Sequence, residues 1–131
     1  MRLQDGELLP YLHDAVLFEL RYDARIRDTR TLVITVQCHP DAGYEPWNDA
    51  ILRLCAKGTF LFRCTAWGYC LGQDTVDSWQ EGLSKATACE LKHLEAKGLR
   101  LPGRCFTIAL HSGSRIEFAC EGLDIENEMP R

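Results

Sequence analysis

His13 and Asp14 are adjacent residues whose side chains can take part in chemistry. An imidazole and a carboxylate can bind a metal ion together. Adjacent His-Asp pairs do so in metal-dependent phosphohydrolases, which bring further histidines and aspartates from several helices. Here the pair precedes a predicted strand, so we expect a structural role in which His13 or Asp14 caps the start of the sheet through local hydrogen bonds. The alternative is a small hydrolase-like enzyme or a ligand-binding domain that uses these two residues.

Seven cysteines are the second set of candidate residues. Structural zinc sites use four ligands, commonly in CxxC or HxxxH pairs, and the sequence contains neither. His111 lies between Cys105 and Cys120, but no motif of a cysteine nucleophile surrounds these residues. GxSxG and the glycine-rich nucleotide motifs are also missing. We therefore predict no catalytic residue, no metal and no cofactor, and expect the cysteines to be small buried hydrophobic residues.

Length and charge limit the class of protein. A chain of 131 residues is most simply a single domain, 1–131. The formal net charge of −4 argues against nucleic-acid binding, which needs a basic surface, and suits a basic protein partner. The first residues contain no apolar signal sequence, and no apolar run approaches the roughly 18 residues of a membrane helix. We expect a cytoplasmic protein that does not bind membranes and whose cysteines stay reduced.

Carboxylates gather near the end of the sequence. Glu121, Asp124 and Glu126 lie close together, with Glu117 and Glu128 on either side. Such a group is either a solvated face or a docking patch, because complementary charge speeds the encounter with a basic protein and fixes its register. We take Glu121, Asp124 and Glu126 as candidate protein-binding residues.

Large aromatic residues are concentrated in the middle of the chain. Tryptophan and tyrosine serve as anchors in binding surfaces, and they also fill the core beneath loops. Both interpretations stay open at this point. The candidate anchors for a protein partner are Trp47, Trp67 and Tyr69.

Alternating apolar and polar residues predict about six β-strands. The clearest are 15–23 and 31–39, which we expect to form an antiparallel hairpin across a charged connection. Further strands are predicted at 50–56, 59–67, 105–110 and 115–121. The two-residue connection Lys57-Gly58 predicts a second hairpin. Leu123 and Ile125 are candidates to extend the last strand, and the acidic tail is expected to fray.

One principal helix is predicted between residues 74 and 98. Thr87 and Glu90 have the spacing of a capping box, and Ser78 with Glu81 offers an earlier start. Gly98 suits the position after the helix, where a left-handed residue is favoured. The predicted fold is therefore α+β: an antiparallel sheet of about six strands with this helix packed on one face.

Three stretches carry a family resemblance. They are Leu12-His13-Asp14-Ala15 with the alternation that runs to Tyr22-Asp23, then RTLVITV from Arg30 to Val36, and FTIALHSGSRIEFACE from Phe106 to Glu121. Together they resemble a group of small bacterial domains that includes immunity proteins of polymorphic toxin systems. The resemblance implies a cytoplasmic protein that binds and blocks a toxin, and it supplies no catalytic residue.

These observations together predict a non-enzymatic protein-binding domain. The partner that the resemblance implies is a basic toxin domain, which this protein would neutralise. The expected mechanism is steric occlusion, with exposed aromatic side chains as anchors and carboxylates at the rim of the interface.

Overall fold

A computed structural model describes residues 9–23, 30–59, 61–65, 75–98 and 103–128. These residues form eight β-strands, one α-helix and two short 3₁₀ helices. The elements in chain order are η1 (Leu9–Leu12), β1 (Val16–Asp23), β2 (Thr31–Gln37), η2 (Glu45–Trp47), β3 (Ile51–Lys57), β4 (Leu61–Thr65), β5 (Val76–Glu81), α1 (Lys85–Ala96), β6 (Arg104–Leu110), β7 (Arg115–Cys120) and β8 (Gly122–Glu128).

The first sheet has the strand order β1-β2-β3-β8, and every neighbouring pair is antiparallel. Its inner face is formed by the apolar members of the alternating pattern, and Ile34 and Leu54, which lie opposite each other in β2 and β3, are fully buried. The predicted pairing of the first two strands is present. A register shift between Leu17 and Glu19 in β1 accompanies the exposure of Phe18.

The second sheet has the order β4-β7-β6-β5, again with antiparallel neighbours. The prediction of one six-stranded sheet is therefore wrong, although the α+β class with antiparallel strands is confirmed. The two additional strands are β5 and β8. Strand β5 buries only Val76 and Trp79, which is too little apolar periodicity to distinguish a strand from the early helix start predicted at Ser78.

The connection at Lys57-Gly58 joins the two sheets instead of closing a hairpin. Strands β3 and β4 do not pair with each other, because β3 pairs with β8 and β4 pairs with β7. Gly58 has φ +65°, and a Cβ there would lie 2.7 Å from the Glu121 side chain. The chain therefore passes from one sheet to the other at a position that only glycine fills without strain.

Both sheets contribute to one hydrophobic core. Phe106 and Phe118 from the second sheet stack with their ring centroids 5.3 Å apart, and they belong to the same cluster as Ile34 and Leu54 from the first. An isolated antiparallel bridge between Val16 and Thr75 links the edge of the first sheet to the start of β5. This bridge fixes the position of the site described below.

Helix α1 begins after Ser84, whose hydroxyl accepts a hydrogen bond from the Thr87 amide at 3.4 Å. The predicted cap at Thr87 is thus three residues too late, and Thr87 is instead the helix residue that is fully buried. The prediction for Gly98 is confirmed by its φ of +88°. Among the described residues, no helix combines the length and apolar character needed to cross a membrane.

Candidate functional site

The strongest candidate site lies where three separate parts of the chain meet. His13 and Asp14 follow η1, His111 follows β6, and Asp77 belongs to β5. Backbone hydrogen bonds hold them to one another: the Asp14 amide donates to the Val76 carbonyl at 2.7 Å, and the His111 amide donates to the Thr75 carbonyl at 2.9 Å. The start of β5 therefore positions both segments.

The Asp14 carboxylate lies between two imidazole rings. Its Oδ2 is 3.2 Å from His13 Nδ1, and its Oδ1 is 3.0 Å from His111 Nε2. The two rings meet edge to face with their centroids 5.7 Å apart. The other nitrogen of His111, Nδ1, lies 3.8 Å from Asp77 Oδ1. The result is a chain of alternating carboxylates and imidazoles.

The backbone at Asp14 is in the left-handed region, with φ +65°. Aspartate and asparagine tolerate this conformation better than most residues do, because their short polar side chains bond locally. The contact with His13 is of that local kind, since it joins the side chains of adjacent residues. However, His111 lies 97 residues away from Asp14, and a local cap does not need it.

The four residues suit a divalent metal ion. One donor atom from each of His13, Asp14 and His111 can be chosen so that all three lie within 4.8 Å of one another. Two imidazoles and a carboxylate are ligands that zinc-class ions accept, and catalytic zinc sites have three protein ligands with a fourth position for water. Asp77 adds a carboxylate on the other side of the His111 ring, with its Oδ1 3.8 Å from Nδ1. The three ligand side chains are about half exposed, so an ion can reach them from solvent.

A cavity of about 290 Å³ begins at His13 and follows β5. Its lining residues are Pro10, His13, Asp77, Ser78, Trp79 and Gln80. Trp79 is only 3% exposed, and its indole Nε1 has no hydrogen-bond partner within the part of the chain that the structure describes. The site therefore combines exposed groups of the kinds that can ligate a metal with an adjoining cavity.

The candidate protein-binding carboxylates lie elsewhere, around β8. Glu121 and Glu126 are exposed, whereas Asp124 is half-buried and its Oδ2 lies 2.8 Å from Lys57 Nζ. This hydrogen bond to Asp124 raises the pKa of Lys57. Arg53 stands directly opposite Glu126 in the β3–β8 register. Cations and carboxylates thus alternate on this face of the first sheet.

The remaining predicted residues are spread over different environments. Trp47 is buried in the core, where its ring meets that of Tyr44 edge to face at 5.5 Å. Trp67 and Tyr69 lie outside the described residues. Glu117, from the acidic group, is buried and accepts hydrogen bonds from the Ser84 amide at 2.8 Å and the Ser84 hydroxyl at 3.1 Å. It therefore anchors the start of α1.

Six of the seven cysteines fall within the described residues, and all six have free thiols. Burial raises the pKa of Cys38 to about 11 and that of Cys120 to about 12. Cys64 and Cys89 are exposed. High pKa values disfavour the thiolate that a nucleophile requires, so Cys120 is poorly suited to act with His111.

Sequence reasoning named His13 and Asp14 but missed their partners. His111 follows a strand in a short turn and carries no local motif, while Asp77 lies in the strand that the alternation did not reveal. Only the pairing of β5 with β6 and its bridge to β1 brings these residues together. No protein-family model matches this chain, and no curated protein shows significant similarity to it.

Proposed function

We propose that this protein binds a divalent metal ion of the zinc class through His13, Asp14 and His111 and acts as a small metal-dependent hydrolase. The observation that carries the proposal is the convergence of three donor groups from positions that are 97 residues apart in sequence. Local hydrogen bonding accounts for the pair but not for the third member.

The ligand set supports hydrolysis because it leaves room for water. An ion with three protein ligands keeps a further coordination position, and a water molecule bound there has a pKa near 7. Held by His13, Asp14 and His111, such an ion would supply a Lewis acid and a nucleophilic water for the hydrolysis of an ester or an amide. The cavity that begins at His13 gives such a substrate a place beside the ion.

Asp77 supports the same assignment through its charge beside His111. Its Oδ1 faces His111 Nδ1, the nitrogen on the opposite side of the ring from Asp14. At 3.8 Å this contact is longer than a hydrogen bond, so Asp77 contributes a negative charge beside the ring. His111 therefore lies between two carboxylates, and both charges favour a cation at the proposed site.

Isothermal titration of the metal-free protein with zinc chloride tests the metal site. We expect one ion per chain, and a loss of affinity of at least about 100-fold in His111→Ala. His93→Ala is the matched control, because His93 is an exposed helix residue remote from the cluster in sequence. Wild-type protein that fails to bind zinc, or His111→Ala that binds as tightly as wild type, would show that the site holds no metal.

Hydrolysis is tested separately with zinc-loaded protein and p-nitrophenyl acetate as the probe. We expect release of nitrophenolate that is lost in His13→Ala and kept in His93→Ala, with unchanged melting temperatures. Zinc binding without any turnover dependent on His13 would restrict the proposal to a metal-binding role.

A second function, recognition of another protein, is supported by exposed side chains at the two edges of the first sheet. Phe18 and Tyr22 are large exposed hydrophobic residues in β1, and Glu121 and Glu126 are exposed carboxylates. The proposed partner is a basic protein, and the family resemblance specifies a toxin domain that is blocked by steric occlusion. Neighbouring genes identify the candidate, since a large secreted toxin encoded next door favours immunity.

Association with the C-terminal domain of such a toxin tests this second function. Glu121→Lys combined with Glu126→Lys should slow association and reduce its dependence on salt, because rim charges act mainly on the on-rate. Glu45→Lys combined with Glu95→Lys is the control for an equal charge change at exposed positions elsewhere on the molecule. An unchanged on-rate and salt slope in the double variant would remove these carboxylates from the interface.

A further inference from the structure

The outer face of the second sheet carries a row of three aligned side chains. Ile108 points into the core, so its neighbour Ala109 in β6 lies on the outer face. Ala109 stands opposite Ser78 in β5 and opposite Arg115 in β7. Directly opposed residues of antiparallel strands place their side chains on the same face. The smallest side chain of the row therefore lies in its middle, between a hydroxyl and a guanidinium.

A second cavity, again of about 290 Å³, lies over this row, and all three residues of the row belong to its lining. Gln80 and Thr107, which face each other in the next row, line it as well. Because an alanine side chain ends at Cβ, Ala109 leaves space between its two longer neighbours. The cavity is therefore a depression in the outer face of the sheet, bordered by the connection 82–84 that leads into α1.

Arg115 brings a permanent positive charge to this cavity. Its side chain is exposed and forms no ion pair within the part of the chain that the structure describes. Two carboxylates of the region have other partners. Glu81, which also lines the cavity, pairs with Arg104. Glu117 accepts hydrogen bonds from the Ser84 amide and hydroxyl. The Arg115 guanidinium is therefore available to an anionic ligand.

The composition of the cavity favours a small carboxylate with a short apolar chain. A guanidinium binds a carboxylate through two parallel hydrogen bonds, and the Ser78 hydroxyl offers a further donor on the other side of Ala109. Leu83 and Ala109 supply apolar surface for a hydrocarbon chain. Glu81 and Glu117 keep negative charge in the region, which disfavours the second charge of a phosphate dianion.

We propose that this cavity binds a small aliphatic monocarboxylate, with the carboxylate paired to Arg115 and the hydrocarbon chain against Leu83 and Ala109. A volume of about 290 Å³ lies at the small end of ligand-binding cavities, which suits a ligand of this size. None of the three proposed metal ligands is among the described residues that line the cavity. Binding of the carboxylate therefore needs no metal ion, and it can be tested apart from the hydrolase proposed above.

NMR of ¹⁵N-labelled, zinc-free protein tests the site, with sodium isobutyrate as the probe. We expect saturable shifts of the Ala109 and Gly82 backbone amides, because both residues line the cavity. Arg115→Gln should weaken binding by at least about 10-fold, since charge-assisted hydrogen bonds are lost. Arg21→Gln, which removes an exposed arginine from the first sheet, is the matched control and should bind as wild type does. Equal affinities in Arg115→Gln and wild type, or no saturable shift in wild type, would overturn the proposal.

Isobutyramide, a neutral molecule of nearly the same shape, tests the charge of the ligand on wild-type protein. We expect it to bind at least about 10-fold more weakly than isobutyrate, because an amide forms no charge pair with Arg115. Inorganic phosphate at the same ionic strength should also bind more weakly, since carboxylates lie nearby. Amide binding as tight as that of isobutyrate would overturn the pairing with Arg115, and tighter phosphate binding would overturn the assignment to a monocarboxylate.

Discussion

Two regions of this molecule gather charged side chains, and they use them differently. On the outer face of the first sheet, Lys57 pairs with Asp124, and Arg53 stands opposite Glu126. Permanent cations therefore lie beside the carboxylates. In the cluster at the start of β5, Asp14 faces two imidazoles, which are cationic only when protonated. The first region balances its charges at every pH near neutrality, whereas the second leaves room for a cation from outside.

The difference follows from how each region is built. The outer face results from period-two alternation along β3 and β8, which places polar residues outward in every register. The cluster results from chain ends and turns that three backbone segments bring together. Charged residues that recur with the strand period are thus typical of a solvated face, and charged residues that converge without any period indicate a site.

Replacing Asp14 should have the largest effect on metal binding. Asp14→Asn removes the carboxylate but tolerates the left-handed backbone, so we expect zinc affinity to fall by more than about 100-fold while the fold is kept. Asp124→Asn, the same change on the outer face, should leave zinc affinity unaltered. Calorimetric titration with circular dichroism of both variants checks this. Equal zinc affinities in Asp14→Asn and wild type would end the contrast between the two regions.

Asp77→Asn should weaken zinc binding by about 10- to 100-fold, the range typical for loss of a carboxylate beside a ligating histidine. The physical reason is that the proposed site loses a negative charge 3.8 Å from His111 Nδ1. Asp77→Glu should recover part of the affinity, since a carboxylate is restored. The same titration measures both variants, and full affinity in Asp77→Asn would limit the role of Asp77 to the cavity wall.

Within the acidic group, Glu117 is buried and Glu121 is exposed, so their effects on stability can be compared. Glu117→Gln places an amide against the Ser84 N–H, so we expect the free energy of unfolding to fall by about 1–3 kcal/mol. Glu121→Gln, at an exposed position, should change it by less than about 0.5 kcal/mol. Urea denaturation followed by circular dichroism compares the two, and equal effects would mean that Glu117 does not anchor α1.

The smallest effect concerns the Lys57–Asp124 pair and its pH dependence. Because the pair raises the pKa of Lys57 above its ordinary 10.5, its stabilisation is present below that pH and is lost as the pH rises through the folded-state value. Because burial raises the pKa of the Cys38 and Cys120 thiols, the free energy of unfolding also falls above about pH 9. This fall is the same in wild type and in Lys57→Gln. The difference in melting temperature between wild type and Lys57→Gln should therefore vanish at high pH, and a constant difference would argue against the pair.

The sequence was informative about the fold wherever a strand alternates strongly. Residues such as Leu32, Ile34 and Val36 predict β2 within two residues of its observed end, since each inward position is apolar. Strand β5 was missed because it buries only two side chains, and β8 was predicted only as an extension of the last strand through Leu123 and Ile125, not as a separate strand in the first sheet. Division into two sheets could not be predicted, because it depends on which edges pair after the chain turns at Gly58.

Only the adjacent residues of the site, His13 and Asp14, could be predicted from the sequence. His13 and Asp14 are adjacent, so their proximity needs no fold, whereas His111 reaches Asp14 only through the backbone bond to Thr75. Trp47 shows that residue type alone does not identify a binding residue. Its residue type suits an anchor, but burial decides between core and surface, and burial is set by the packing of η2 against the first sheet.

Two chain segments run through both sheets, and this arrangement affects how cooperatively the protein unfolds. Strand β3 continues into β4 and β7 continues into β8, so the same two chain segments pair along both sheets. Separating them in one sheet exposes the core that the other sheet shares. Amide protons of β3 and β7 should therefore exchange with solvent only through one common opening event, with the free energy of global unfolding.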